Sequence, residues 1–110
     1  MSDAQLTDLP NGAFDLAAQL AYQDGAIVSR TLVDRESATL TLFAVAEGQR
    51  ISEHSAPHEA LLQVLDGTAT VCIDETKFTV DDGASLVFPA DVPHALAADE
   101  PFKMLLTMLR

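Results

Sequence analysis

The feature that most constrains the fold is a succession of short apolar runs, separated by turn residues, that begins after Asp24-Gly25. Several runs alternate apolar with polar side chains, which is typical of strands with one buried face. No long amphipathic helix interrupts them, which excludes a βαβ arrangement. The sequence therefore predicts an all-β sandwich or barrel, with apolar runs at residues 26–33, 38–46, 61–65, 68–73, 77–80, 84–88, 94–97 and 102–109.

The first 25 residues differ from the rest of the chain in the spacing of their apolar residues. Residues 1–12 are polar and end in a Pro-Asn-Gly turn, whereas residues 13–21 place apolar side chains at helical spacing. We therefore expect an N-terminal arm with a short helix over residues 1–25, followed by one barrel domain over residues 26–110.

The amino-acid composition limits the kinds of partner that the protein can bind. Apolar residues make up 48% of the chain, which excludes wholesale disorder. Six basic against 17 acidic residues give a net charge of −11, which argues against nucleic acid and anionic membrane partners. The chain has one cysteine, Cys72, and a polar, acidic N-terminus without the features of a signal peptide. These features predict a cytoplasmic protein in which Cys72 is a small strand residue.

The last strand is apolar on both faces. One face is formed by Phe102, Met104, Leu106 and Met108, while Leu105 and Leu109 add apolar surface to the other. A strand of this kind requires cover on both sides, either from the core of the same chain or from another subunit. We expect a homodimer that pairs through the N-terminal strand, the C-terminal strand or both.

The three histidines are the main candidates for chemistry. In a continuous strand, His54 and His58 would project to the same face because their numbers have equal parity. His94 follows a proline turn and would have to come from a neighbouring or facing strand. Converging imidazoles form a site for a cation such as Fe, Ni, Cu or Zn. The alternative is that hydrogen bonds or water satisfy each ring separately.

The spacing of glycine, proline and histidine resembles the two motifs of the cupin family. The first motif, G(X)5HXH(X)3,4E(X)6G, is matched by Gly48, His54 and Gly67, and the second, G(X)5PXG(X)2H(X)3N, by Gly83, Pro89 and His94. The resemblance, to small RmlC-like cupins of the conserved-barrel type, implies a double-stranded β-helix, or jelly roll. It also implies a divalent metal, for which Fe, Ni, Zn, Mn and Cu are the candidates.

The chain departs from the family's ligand pattern. Ala56 stands where the second histidine would be and Ala60 where the glutamate would be, so neither can bind a metal. His58 could replace the lost histidine, giving the ligand set His54, His58 and His94. Glu59 is a further candidate if Pro57 breaks the strand and turns its carboxylate inward. Alternatively, the site has degenerated and holds no metal.

The remaining pocket residues are expected to be apolar. The candidates are Leu62, Val64, Phe43, Phe88 and Met104. No cluster of basic residues suggests a phosphorylated substrate.

Two functions remain open. One is a metal-dependent enzyme, such as a dioxygenase or isomerase, acting on a small, mainly apolar ligand. The other is a metal-free module that binds or senses a small molecule.

Overall fold

Eight antiparallel strands form one curled sheet in the computed structural model, which describes residues 4–110. Short 3₁₀ helices lie at Leu6–Asp8 and Leu16–Gln19 in the preceding arm, and no helix in residues 4–110 is long and apolar enough to cross a bilayer. The strands are β1 Ile27–Asp34, β2 Ala38–Val45, β3 Arg50–His54, β4 Ala60–Ile73, β5 Thr76–Asp81, β6 Ser85–Phe88, β7 His94–Ala97 and β8 Phe102–Leu109. The predicted jelly roll, with only short helical turns before it, is confirmed.

Strand β4 links the two halves of the jelly roll. The strand order is β1-β2-β8-β4-β7-β3, and β5 and β6 also pair with β4. The first half of β4 pairs with β6 and β8, and its second half pairs with β5 and β7. The pairing with β8 shifts between Val64 and Asp66, and such a bulge increases the local bend and twist of a strand.

Gly67 completes this bend. Its φ is +74°, and a Cβ atom at this position would overlap the carbonyl oxygen of Pro101. The backbones of β4 and the β7–β8 loop therefore approach each other at a point that only glycine permits. The gap between the apolar runs 61–65 and 68–73 predicts a turn at Asp66-Gly67. This prediction is wrong, because β4 continues through these residues with a bulge.

The inner face of the curled sheet holds the core. Alternation along β4 buries Ala69 and Val71 on this face, while Thr70 and Cys72 project to the other side and stay half-buried. The largest fully buried side chains on the inner face are Phe102, Leu62, Met104, Val45, Val64 and Val71. Burying each such side chain contributes about 1.5–3 kcal/mol.

The N-terminal arm covers part of the outer face of β8 and β4. The Lys103 ammonium donates to the carbonyl oxygen of Ala17 at 2.7 Å and lies 4.9 Å from the centre of the Tyr22 ring. The Tyr22 hydroxyl donates to the Asp66 carboxylate at 2.6 Å. Burial, followed by the Asp66 carboxylate, raises the pKa of Tyr22 above its ordinary value. The same outer face carries Leu42, which is fully buried.

Candidate functional site

His54 and His94 meet at the inner face, at the end of β3 and the start of β7. The two residues are directly paired in the register of these strands. Their Nε2 atoms lie 3.1 Å apart, and the ring planes are inclined at 69°. His94 is buried, whereas His54 is exposed. The pair therefore has one ring embedded in the protein and one exposed to solvent.

The backbone sets the tautomer of both rings. His54 Nδ1 lies 2.8 Å from the carbonyl oxygen of Ser52, and His94 Nδ1 lies 3.2 Å from that of Val92. A carbonyl oxygen only accepts hydrogen bonds, so each Nδ1 carries the proton. In the neutral rings both Nε2 atoms then present lone pairs, which face each other across 3.1 Å. Such an arrangement is stable when a cation, either a proton or a metal ion, lies between the two nitrogens.

Phe88 supports the buried ring. Its side chain is stacked on the His94 imidazole, with ring centres 4.2 Å apart and planes inclined by 8°. Burial lowers the pKa of His94 below its ordinary value, and the neighbouring His54 lowers it further, while the hydrogen bond to Val92 opposes the shift. The neutral imidazole, which is the form that binds metals, is therefore favoured at His94.

Left-handed backbone conformations occur at the glycine positions of the two motifs. Gly48, Gly67 and Gly83 of the motifs all have positive φ, and so does Asp91, which stands at the glycine position of the second motif. Aspartate adopts this conformation more readily than most residues. The Asp91 amide also donates to the carbonyl oxygen of Ala56 at 2.7 Å. This bond ties the β6–β7 loop to the β3–β4 loop, beside the histidine pair.

The structure does not bring His58 or Glu59 to the pair. β3 ends at His54, and both residues lie in the loop before β4 begins at Ala60. The parity expected for a continuous strand therefore does not apply, because the strand stops before Pro57. His58 is half-buried and makes no hydrogen bond within residues 4–110. No group of three or more His, Cys, Asp or Glu in these residues is arranged to hold a metal ion.

Glu59 lies instead beside a shallow apolar depression on the outer face. This depression has a volume of about 280 Å³ and is lined mainly by Leu61, Val87 and Leu109. A larger depression, of about 620 Å³, lies on the outer face of β3, β7, β4 and β5 and includes Arg50 and Cys72. Neither depression contains a histidine of the pair.

The predicted apolar pocket residues lie on the inner face. Leu62, Val64, Phe88 and Met104 are buried in the core, and Phe43 packs against it while half-buried. Sequence reasoning missed the polar part of the same face, which consists of Ser29, Thr31, Thr39 and Thr41. Part of the signal for it is present in β2, where Thr39 and Thr41 alternate with Leu40 and Leu42.

Comparison with known proteins identifies the family. The model of the cupin domain matches residues 41–108, which is more than half of the chain. The chain is a cupin. A search of curated proteins gives no significant match, so the family assignment brings no specific activity with it.

Solved structures agree with this assignment. A conserved protein of unknown function from Streptococcus pyogenes is 36% identical, with a TM-score of 0.88 over 93% of this cupin and 90% of that chain. A cupin 2 conserved barrel domain protein from Leptotrichia buccalis is 41% identical, with a TM-score of 0.86 over 88% of this cupin and 47% of that chain. A cupin superfamily protein from Desulfitobacterium hafniense is 27% identical, with a TM-score of 0.87 over 92% and 93%.

Proposed function

We propose that this cupin binds a divalent cation through Nε2 of His54 and of His94, and that the cation and the inner face together bind a small molecule. The observation that carries the proposal is the approach of the two Nε2 atoms to 3.1 Å, in rings whose Nδ1 atoms each face a backbone carbonyl oxygen. With metal–nitrogen bonds of about 2.0–2.1 Å, this separation corresponds to an angle of roughly 95–100° at the metal. That angle lies between those of octahedral and tetrahedral coordination.

The donor set favours a borderline metal. Neutral imidazole suits Zn, Cu, Ni and Fe, whereas Mg and Ca prefer oxygen ligands. Two imidazoles leave two or more coordination positions for water or for oxygen atoms of a ligand. A bound cation would supply Lewis acidity at these positions. The chain's own contribution is to hold both Nε2 atoms in place and to keep His94 neutral.

His58 remains the proposed third ligand. It lies four residues after His54, in a loop whose Ala56 carbonyl is tied to Asp91. Its imidazole makes no hydrogen bond in the part of the chain that the structure describes, so metal binding would break none. Glu59 is a weaker candidate, because its side chain is exposed beside the outer depression.

The metal-free alternative has an observation of its own in its favour. Within residues 4–110 the structure gathers two imidazoles and no third ligand, and two ligands alone hold a metal weakly. In that case a proton shared between the rings would replace the metal, and the protein would act as a binding or sensor module. Calorimetric titration of the metal-free protein with Zn²⁺ separates the two. Binding of one equivalent supports a metal site, and no heat at micromolar concentration supports the module.

We also propose that the protein is a homodimer. Leu61, Val87 and Leu109 form an exposed apolar patch on the outer face, and β1 leaves one edge of the sheet unpaired within the described chain. A patch of this kind is typical of a subunit interface. Light scattering at micromolar concentration should give twice the chain mass, and Val87→Lys should reduce it to that of one chain. A single-chain mass for the unmodified protein would refute the proposal.

A further inference from the structure

The inner face of β1 and β2 carries a row of hydroxyl groups. Thr31 is paired with Thr41 in the register of these strands, and Thr41 is paired with Leu106 of β8. Leu106 is in turn paired with Leu62 of the core. Directly paired residues of antiparallel strands project to the same side of the sheet, so both threonines project to the inner face.

The same argument places two further hydroxyls on this face. Ser29 is paired with Phe43, which packs against the core, and Thr39 is paired with Met108, which does the same. Together with Thr31 and Thr41 they form what we call the hydroxyl row: Ser29, Thr31, Thr39 and Thr41. The row occupies alternate positions on two neighbouring strands.

The hydroxyl row has unused hydrogen-bonding capacity. Ser29 and Thr31 are exposed, and Thr39 and Thr41 are half-buried. None of the four hydroxyls is hydrogen-bonded to another group in residues 4–110. A threonine hydroxyl can both donate and accept, so the row offers several donors and acceptors to whatever occupies the inner face.

The surroundings of the row are mainly apolar. Phe43, Leu106 and Met108 lie beside it and are half-buried against the core. The charged side chain that the register places next to Thr39 is Asp34, and the Arg110 guanidinium neutralises it at 3.3 Å. A carboxylate or an ammonium group entering this surface would therefore lose hydration without gaining an ionic partner there.

We propose that the hydroxyl row and its apolar neighbours bind an uncharged small molecule with hydroxyl or carbonyl groups along one side of an aliphatic body. The row would bond the polar side, and Phe43, Leu106 and Met108 would pack against the aliphatic side. The inference deepens the proposed function, because the ligand lies on the same inner face as His54 and His94. Binding at the row itself requires no cation, and this separates the two tests.

The test uses hexane-1,2-diol as the probe, with hexanoate and hexylammonium as charged probes of similar length. Each is titrated into the full chain after removal of metals, and binding is followed through amide chemical shifts. We expect the diol to shift the amides of Thr31, Thr39 and Thr41 and to bind more tightly than either charged probe. Removal of one neutral hydrogen bond in Thr41→Val should weaken diol binding by about 2–10-fold.

Thr107→Val is the matched control. Thr107 is also half-buried, but it is paired with Leu40 and Leu61 and so projects to the outer face. It should leave diol affinity unchanged. The proposal is overturned if hexanoate binds the metal-free protein as tightly as the diol, if Thr41→Val leaves diol affinity unchanged, or if the shifts surround Leu61 and Val87 instead. Zn²⁺ titration of Thr41→Val, expected to match the unmodified protein, reports on the histidine pair separately.

Discussion

Replacing Phe88 by leucine tests whether the stacked ring positions His94 for metal binding. Leucine keeps an apolar side chain at this buried position but removes the aromatic face that lies 4.2 Å from the imidazole. We expect the variant to fold, because a hydrophobic exchange of similar volume usually destabilises a protein by less than about 1.5 kcal/mol. Loss of the aromatic pair adds about 0.5–1.5 kcal/mol to this.

The expected effect on metal binding follows from the freedom that His94 gains. Without the stacked ring, the imidazole becomes mobile and must be immobilised when the metal binds. Immobilising one side chain costs about 0.5–1.5 kcal/mol of binding free energy. This corresponds to a Zn²⁺ affinity about 2–12-fold weaker, measured by calorimetry. The d–d absorption spectrum of the Co²⁺ form should also change, because the orientation of one ligand changes.

Phe78→Leu is the matched control, since Phe78 is an exposed phenylalanine on β5. It should leave both the Zn²⁺ affinity and the Co²⁺ spectrum unchanged. Phe88→Tyr, which keeps a ring against His94, should restore most of the affinity. If Phe88→Leu folds and binds Zn²⁺ with unchanged affinity and an unchanged Co²⁺ spectrum, then the ring is only a core residue and the reasoning fails.

Three further outcomes are expected from the fold. Gly67→Ala should destabilise the protein by more than about 2 kcal/mol in urea denaturation, because the added Cβ would overlap backbone atoms. Gly48 also has a positive φ but lies in open space, so Gly48→Ala should cost no more than about 1–2 kcal/mol. Equal losses of stability in the two variants would contradict the close approach at Gly67. Tyr22→Phe should reduce the free energy of unfolding by about 1 kcal/mol, because the hydrogen bond from the Tyr22 hydroxyl to Asp66 is lost. An unchanged urea midpoint would mean that this hydrogen bond does not hold the N-terminal arm against β4. Burial lowers the pKa of His94 in the folded protein below 6.5. The contribution of neutral His94 to stability is therefore present above pH 6.5 and is lost as the pH falls through the folded pKa. Equal stability of the metal-free protein in urea at pH 7.5 and at pH 5.5 would contradict this.

The strand pattern could be predicted from the sequence wherever one face is buried. The alternation in β4 and the double-faced β8 both appear in the structure as expected. Strand β3 was missed because its residues Arg50–His54 are mostly polar and exposed. An edge strand of this kind is defined by its pairing with β7, which local pattern does not reveal.

The candidate site was predictable only in part, for a similar reason. The motif spacing pointed to His54 and His94, and the structure pairs them across β3 and β7. The position of His58 depended on a strand continuing past Pro57, whereas the chain leaves the sheet after His54. The stacking of Phe88 on His94 depends on how the β6–β7 turn is folded, and spacing along the chain does not specify it.

The central claim, that His54 and His94 form a cation site, is tested most directly by calorimetric titration of Zn²⁺ into the metal-free protein and its histidine variants. We expect about one equivalent bound per chain at pH 7.5, and at least a tenfold weaker affinity for both His54→Gln and His94→Gln. His58→Gln shows whether the loop supplies a third ligand. If it does, the Zn²⁺ affinity of this variant should fall as much as in the other two variants, and if it does not, the affinity should be unchanged. Absence of Zn²⁺ binding by the unmodified protein, or unchanged binding by His94→Gln, would contradict the account.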